Sequence, residues 1–590
     1  MTRPLAALPA AFTGVAITVP LLAGCGGGGG SAAASTMPPP VVISGAITFD
    51  RVPVSGSALD YTGIEAAPAR GVTVQALADG QVIASASTDE TGRYTLTVPA
   101  DTSAVTVRAL AEMRREGTPG WSYRVVDNTA DNALFVLEGP ALTLGRTDQT
   151  LNLHAPSGWD DAASAYTAPR SAAPFAILDV IRDVTDFVLA SVPDTVFPPL
   201  VVHWSPNNVP SRGADGQPDL TTGEIGSSLY RHGLGIYLLG AADSDTDEYD
   251  RHVIAHEWAH YLEQAFGRSD SIGGPHTRGD QLDPRTAFSE GFANAFAAMA
   301  LGDTRYVDVL GPAQAGGFAF DVEGPYAPFP LHPNPFPGWF SEESIQEVVY
   351  DLFDAEQDRV EDTLALGFAP LLAVFAEDFT NNTPYERPLT SIFAFADALR
   401  RRLPEHRAEI DALLAANAIG PFADAYGTGE ANAGWPLDPA SVEAGDILPL
   451  YKQVDLGGRV NVCSTDAYTY PGATGFYNKL GSRAFVRFDA PAAGVYVITA
   501  TTTELPAGKT ADPDLALHGQ GLLHRAEGAP DPAACTAQTP SGCVESFERF
   551  LGPGTYVLEV YEWTNTQPAD PESEFPPIGR TCFDVTVTPQ

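Results

Sequence analysis

The sequence predicts a multidomain protein in which an α+β domain is flanked by two all-β domains. Three observations predict it. A length of 590 residues gives room for about three or four domains. Both flanks alternate apolar and polar residues, with Gly and Pro between the runs, as strands and turns require. The middle instead carries apolar residues at steps of three and four, the spacing of helices with one buried face. The formal net charge of −41 makes a surface that repels nucleic acid and anionic head groups, so no nucleic-acid partner is expected.

Residues 1–25 read as an export segment. Arg3 supplies a positive start, and 5–22 is apolar but broken by prolines, too short to favour a spanning helix. Leu22-Ala23-Gly24-Cys25 resembles a bacterial lipobox. That resemblance implies lipidation of Cys25 and a membrane anchor. With Gly26 next, it also implies an outer-membrane or cell-surface location. Residues 26–40 form a tether, glycines first and then small residues and prolines, which cannot build a core.

Residues 41–154 are strand-like. Val72-Thr73-Val74-Gln75-Ala76-Leu77 alternates, and Ala78-Asp79-Gly80 turns it into Gln81-Val82-Ile83-Ala84. Asp89-Glu90-Thr91-Gly92-Arg93-Tyr94 resembles the hairpin of carboxypeptidase regulatory-like β-sandwiches, and Arg70-Gly71-Val72-Thr73-Val74 the strand before it. The resemblance spans about 42–110 and implies a spacer or folding module without chemistry. Residues 157–173 read as a linker. Helical spacing over 173–191 points Phe175, Ile177, Leu178, Ile181, Val184, Phe187 and Val188 to a core. Short strands are expected at 200–204, 226–230 and 235–239.

The centre of the chain is His256-Glu257-Trp258-Ala259-His260. On a helix, two histidines four apart leave the same face. They can grip one zinc ion, with Glu257 beside it as base for a bound water. Ile254, Trp258, Leu262 and Ala265 give that helix a core face. The acids at 243–248 do not make a calcium hand, since Glu248 stands where Gly is needed and Ile254 where Glu is needed. They are expected to cap the positive end of the helix dipole.

Three downstream side chains can supply a third ligand: His276, Asp283 and Glu290. His276 follows Gly273-Gly274-Pro275 on a loop, and ordering that loop costs conformational entropy. Asp283-Pro284 reads as an N-cap and first helical position, which commits Asp283 elsewhere. Glu290 stands on that helix, with small Gly291 and Ala293 beside it to permit close approach to the metal helix. Metzincins place Gly and then His soon after the motif, but Glu263 and Phe266 stand there.

Ser289-Glu290-Gly291-Phe292-Ala293 is similar to the matching block of aminopeptidase N-like enzymes and of fungalysins. Together with H-E-x-x-H, it makes the chain resemble a gluzincin. The resemblance covers about 170–360 and implies a zincin-like catalytic domain, 157–440, with zinc as cofactor. It makes His256, His260 and Glu290 the metal ligands and Glu257 the catalytic base. Asn294 would bond a zinc histidine from behind, and Tyr350 would stabilise the oxyanion. A helix, a few strands and then the metal helix is the order of a zincin upper lobe, whose cleft strand adds substrate as an extra strand. There is no G-x-M-E-N motif, so an endopeptidase is expected, with a peptide or protein substrate.

Helical patterns at 341–420 form the expected lower lobe, and 421–445 a connector. Residues 446–590 are β-rich. Their Gly494-Val495-Tyr496-Val497 and Gly554-Thr555-Tyr556-Val557 resemble hairpin entries of pre-peptidase C-terminal β-sandwiches. Cys463, Cys535, Cys543 and Cys582 all lie here. Three pairings are possible; Cys535 with Cys543 closes a short loop, and Cys463 with Cys582 would tie the domain ends. No G-x-S-x-G elbow, phosphate loop or dinucleotide motif is present. The expected function is a lipid-anchored zinc metallopeptidase. The alternative is a surface adhesion or binding lipoprotein with a vestigial metal site.

Overall fold

The computed structural model describes residues 39–99, 102–213, 217–323, 336–356, 360–380, 388–431, 444–468, 477–519, 521–527, 535, 542–567 and 576–590. Cys25 and most of the tether lie outside these residues. The protein is multi-sheet, with sandwich-like β layers on either side of a helical centre.

The first strand, Val41–Arg51, buries alternate side chains. It pairs antiparallel with Arg93–Val98 and Glu65–Pro68, and parallel with Leu153–Ala155. The expected hairpin closes as an Asx turn, Asp89 Oδ1 accepting from the backbone N–H of Thr91 and Arg93 at 2.8 and 2.9 Å. Gly92 is needed there: its φ is +72°, and a Cβ would lie 2.5 Å from the Ile47 carbonyl oxygen.

The opposing sheet places Val72–Ala78 between Gln81–Ser87 and Ala104–Arg115, which pairs with Trp121–Asp127. It does not end there. Trp121–Asp127 pairs in parallel with Leu200–Trp204, Leu200–Trp204 with Gly235–Leu238, and Leu229–Arg231 forms the edge. The 41–154 strands and the residues beyond 157 therefore share one sheet and one hydrophobic core. The stretch expected as a linker is packed rather than loose. Trp159 stacks on Tyr61, and buried Arg170 pairs with Glu248 at 2.8 Å.

Four helices frame the centre: α1 (Ala173–Ser191), α2 (Arg251–Phe266), α3 (Pro284–Leu301) and α4 (Glu342–Asp351). Phe288 and Phe292 of α3 meet Phe375 and Phe395 of the helical region beyond α4. No helix among the described residues is long and apolar enough to cross a membrane.

Residues beyond 450 form two facing sheets around Val462, Phe488, Ile498, Leu558, Phe583 and Val585. The cysteines pair as Cys463–Cys582 and Cys535–Cys543. The first bridge joins residues directly opposite on neighbouring strands, Arg459–Ser464 and Thr581–Pro589.

Candidate metal centre

α2 is held by its apolar face. Ile254, Trp258 and Leu262 are buried, and Trp258 stacks on Phe296 of α3 with ring centroids 5.5 Å apart. The acidic stretch before α2 does not cap it as expected. Asp250 is the N-cap residue, but its side chain makes no capping bond. Its Oδ2 accepts instead from Val309 N at 2.9 Å, while Glu248 binds Arg170 and Asp247 binds Ser228. These acids pin the start of α2 to neighbouring elements.

α3 begins as its sequence directs. Asp283 accepts from Arg285 N at 3.0 Å, Pro284 is the first helical residue, and Gly302 closes the helix at φ +62°. Gly291 permits a close approach, but to α4 rather than to α2. A Cβ there would lie 2.7 Å from the Glu342 carbonyl oxygen and 2.7 Å from Ile345 Cβ.

This packing brings three of the expected donor atoms together. His256 Nε2 lies 3.1 Å from Glu290 Oε2, His260 Nε2 lies 3.3 Å from the same oxygen, and the two Nε2 atoms are 3.2 Å apart. A tetrahedral zinc with bonds of about 2.0–2.1 Å has ligand atoms about 3.3–3.4 Å apart. The triangle fits that ion.

The ring tautomers agree. Asn294 gives its amide N–H to Gln346 Oε1 at 3.0 Å, so its Oδ1 accepts from His256 Nδ1–H at 2.8 Å. Ser289 gives its hydroxyl proton to Glu263 Oε2 at 2.6 Å, so its Oγ accepts from His260 Nδ1–H at 3.1 Å. Both Nε2 lone pairs then face the Glu290 carboxylate. Three acceptors converging in a buried space call for a cation.

Glu257 lies beside the triangle, buried, with Oε2 lacking any hydrogen-bond partner. Burial pushes its carboxyl up, opposed by His256, His260 and a backbone hydrogen bond from Tyr230. Burial would also raise Glu290, but His276, His260 and His256 outweigh it and hold that carboxyl well below the usual range.

Tyr350 is not brought to the cluster. Its ring packs edge-on against Phe353, and the charges it feels are Glu323, Asp354, Asp321 and Glu356. The loop residue His276 arrives instead. Its Nδ1–H donates to Gly274 O at 3.1 Å, and its Nε2 lies 3.5 Å from Glu290 Oε2 and 3.3 Å from Glu342 Oε2. Burial works to lower its pKa, but those two carboxylates raise it to about 9. Sequence reasoning also missed Tyr306, whose ring stands edge-on to His256 at 6.2 Å. Only its place on a strand after α3 could have drawn notice.

No family model and no curated protein matches the chain. Among solved structures, the pre-peptidase C-terminal domain of a Bacillus anthracis collagenase aligns at 13% identity, over 23% of this chain and 93% of that one, with a TM-score of 0.14. A 9R-lipoxygenase from Cyanothece PCC8801 aligns at 13% identity over 28% of this chain and 26% of that one, TM-score 0.13. PliG, a periplasmic inhibitor of g-type lysozyme from Aeromonas hydrophila, aligns at 10% identity over 23% of this chain and 96% of that one, TM-score 0.13. None of the three fixes a family.

Proposed function

We propose that the chain is a gluzincin-type zinc metallopeptidase whose α+β domain hydrolyses peptide bonds within a peptide or protein substrate. One observation carries the reading: two imidazole nitrogens and a carboxylate oxygen form a zinc-sized triangle beside a buried carboxylate with an unpartnered oxygen. Zinc held by His256, His260 and Glu290 supplies Lewis acidity and lowers the pKa of water. Glu257 takes a proton from the attacking water and later returns it to the leaving amine. His276, with Nε2 facing Glu290, takes the place expected of Tyr350 beside the reacting carbonyl. Among the described residues Leu229–Arg231 is the edge strand of its sheet, beside which an extended substrate can pair.

The test is hydrolysis of an unfolded protein with and without a chelator, for wild type and Glu257→Gln. The variant should keep its zinc and lose roughly 10²–10⁴-fold in turnover. Undiminished turnover in the variant refutes the reading, and a zinc-loaded wild type with no hydrolysis favours the adhesion alternative. Anchoring through Cys25 at the outer membrane or cell surface belongs to the same proposal. Cys25→Ser should move the protein into the soluble fraction, and unchanged membrane retention counts against it.

A further inference from the structure

The loop that carries His276 towards the candidate metal centre is held by residues from the far end of the chain. Between Phe266 and Pro284 there is no named helix or strand, and a connection of that length is costly to order by itself. The brace comes from the C-terminal β domain. Asn478 Nδ2 donates to the carbonyl oxygens of Gly273 and Pro275 at 3.0 and 3.1 Å. Lys479 Nζ donates to Pro275 O at 3.2 Å and pairs with Asp280 at 2.9 Å. The backbone joins in, Leu480 N to Gln281 O and Asp283 N to Asn478 O, each at 2.8 Å.

Asn478 and Lys479 are 0% and 1% exposed. A lysine is almost never buried so fully unless its charge is matched, and here Asp280 matches it. Tyr477 covers the loop directly: a Cβ on Gly274 would lie 2.1 Å from the Tyr477 hydroxyl. His276 sits within the braced segment. Gly274 O fixes its Nδ1, so the ring can aim only Nε2 at Glu290 and Glu342.

We propose that Asn478 and Lys479 are positioning residues of the active site, holding His276 so that its Nε2 faces the reacting carbonyl beside Glu290. This rests on the peptidase reading above. It makes the C-terminal β domain part of the site.

The experiment uses the full-length zinc-loaded protein and four forms: wild type, His276→Ala, Asn478→Ala with Lys479→Ala, and all three substitutions together. His276→Ala and the double variant should each lower kcat by roughly 10–100-fold, with KM little changed and zinc content equal to wild type. The triple variant should lose no more than the worse of the two, because both act through one side chain. In metal-free protein, the double variant should speed amide exchange in 273–282 and leave α3 protected.

Multiplying losses in the triple variant, or full activity in His276→Ala, overturns the proposal while the peptidase reading stands. Absence of chelator-sensitive hydrolysis in wild type removes the reading and the proposal together. Asn478→Ala alone keeps the Lys479–Asp280 pair, and should give the same pattern at smaller size if the double variant does not fold.

Discussion

Glu290→Gln should weaken zinc binding more than any change outside the three ligands, and the distances rank its competitors. The substitution keeps the shape of the side chain and removes the single anionic donor of the triangle. Losing a partner behind a ligand costs roughly 10–100-fold in metal affinity. A directly bound, charged donor is worth more, so we expect a loss above about 100-fold, or more than about 2.7 kcal/mol. Asn294→Ala removes the 2.8 Å bond that orients His256, and should fall within roughly 10–100-fold. His276→Ala removes a ring nitrogen 3.5 Å from the Glu290 oxygen, too far for a firm hydrogen bond. It should cost less than about tenfold. Zinc titration of each variant against a competing chelator reads all three values. If His276→Ala empties the site while Glu290→Gln binds like wild type, the assignment of the third ligand fails even though both histidines remain.

Two further outcomes are expected. Gly291→Ala drives a methyl group into Ile345 and the Glu342 carbonyl; denaturant unfolding should show a loss of about 1–3 kcal/mol, with weaker zinc binding as Glu290 shifts, and an unchanged midpoint would refute the close α3–α4 contact. Glu559→Gln removes the negative charge that buried Arg285 and Arg483 share at 2.6 and 3.0 Å while Arg285 keeps Asp283, so it should cost about 1.5–3 kcal/mol. Burial opposes ionisation of Glu559, but Arg285, His518 and Arg483 hold its folded pKa well below the usual value. Its stabilisation is therefore complete above about pH 4.3 and is lost as pH falls towards the folded pKa. Thermal melts of wild type and variant should converge at low pH, and a constant gap would refute that ionisation.

The clustering of His256, His260 and Glu290 was legible because its determinants are local. Four residues of spacing put His256 and His260 on one face, and Asp283-Pro284 started the helix that carries Glu290. Asn294 was legible for the same reason, being one turn from Glu290. What failed was the assignment of residues whose partners lie far along the chain. Tyr350 stands on an apolar helix at a plausible distance downstream, but periodicity does not say which neighbour a helix face meets. His276 looked too costly to order because its loop has no stiffness of its own. Asn478 and Lys479, about two hundred positions away, supply the missing order, and no pattern within 270–285 announces them. The linker was misread in the same way: small and polar composition resembles a spacer, yet Arg170 and Trp159 find partners in distant segments.

α3 shows why these failures and successes belong to one arrangement. It is buried on nearly every side, so each of its faces must satisfy a different neighbour. Towards α2 it presents Ser289, Glu290 and Asn294, each tied to a histidine of the triangle. Towards α4 it presents Gly291, where a methyl group already collides. Towards the C-terminal β domain it presents Arg285, which binds Glu559 through both carboxylate oxygens at 2.6 and 3.2 Å. A buried guanidinium is tolerated only when paired in this way. The same β domain then reaches past α3 to brace the loop of His276. Separating it from the helices would take Glu559 from Arg285, leaving Asp283 as that guanidinium's partner, and would break the Lys479–Asp280 pair while freeing the loop that faces Glu290. The candidate metal centre therefore borders a loop held between domains, and the order of that loop depends on a β-sandwich that supplies none of the three donor atoms.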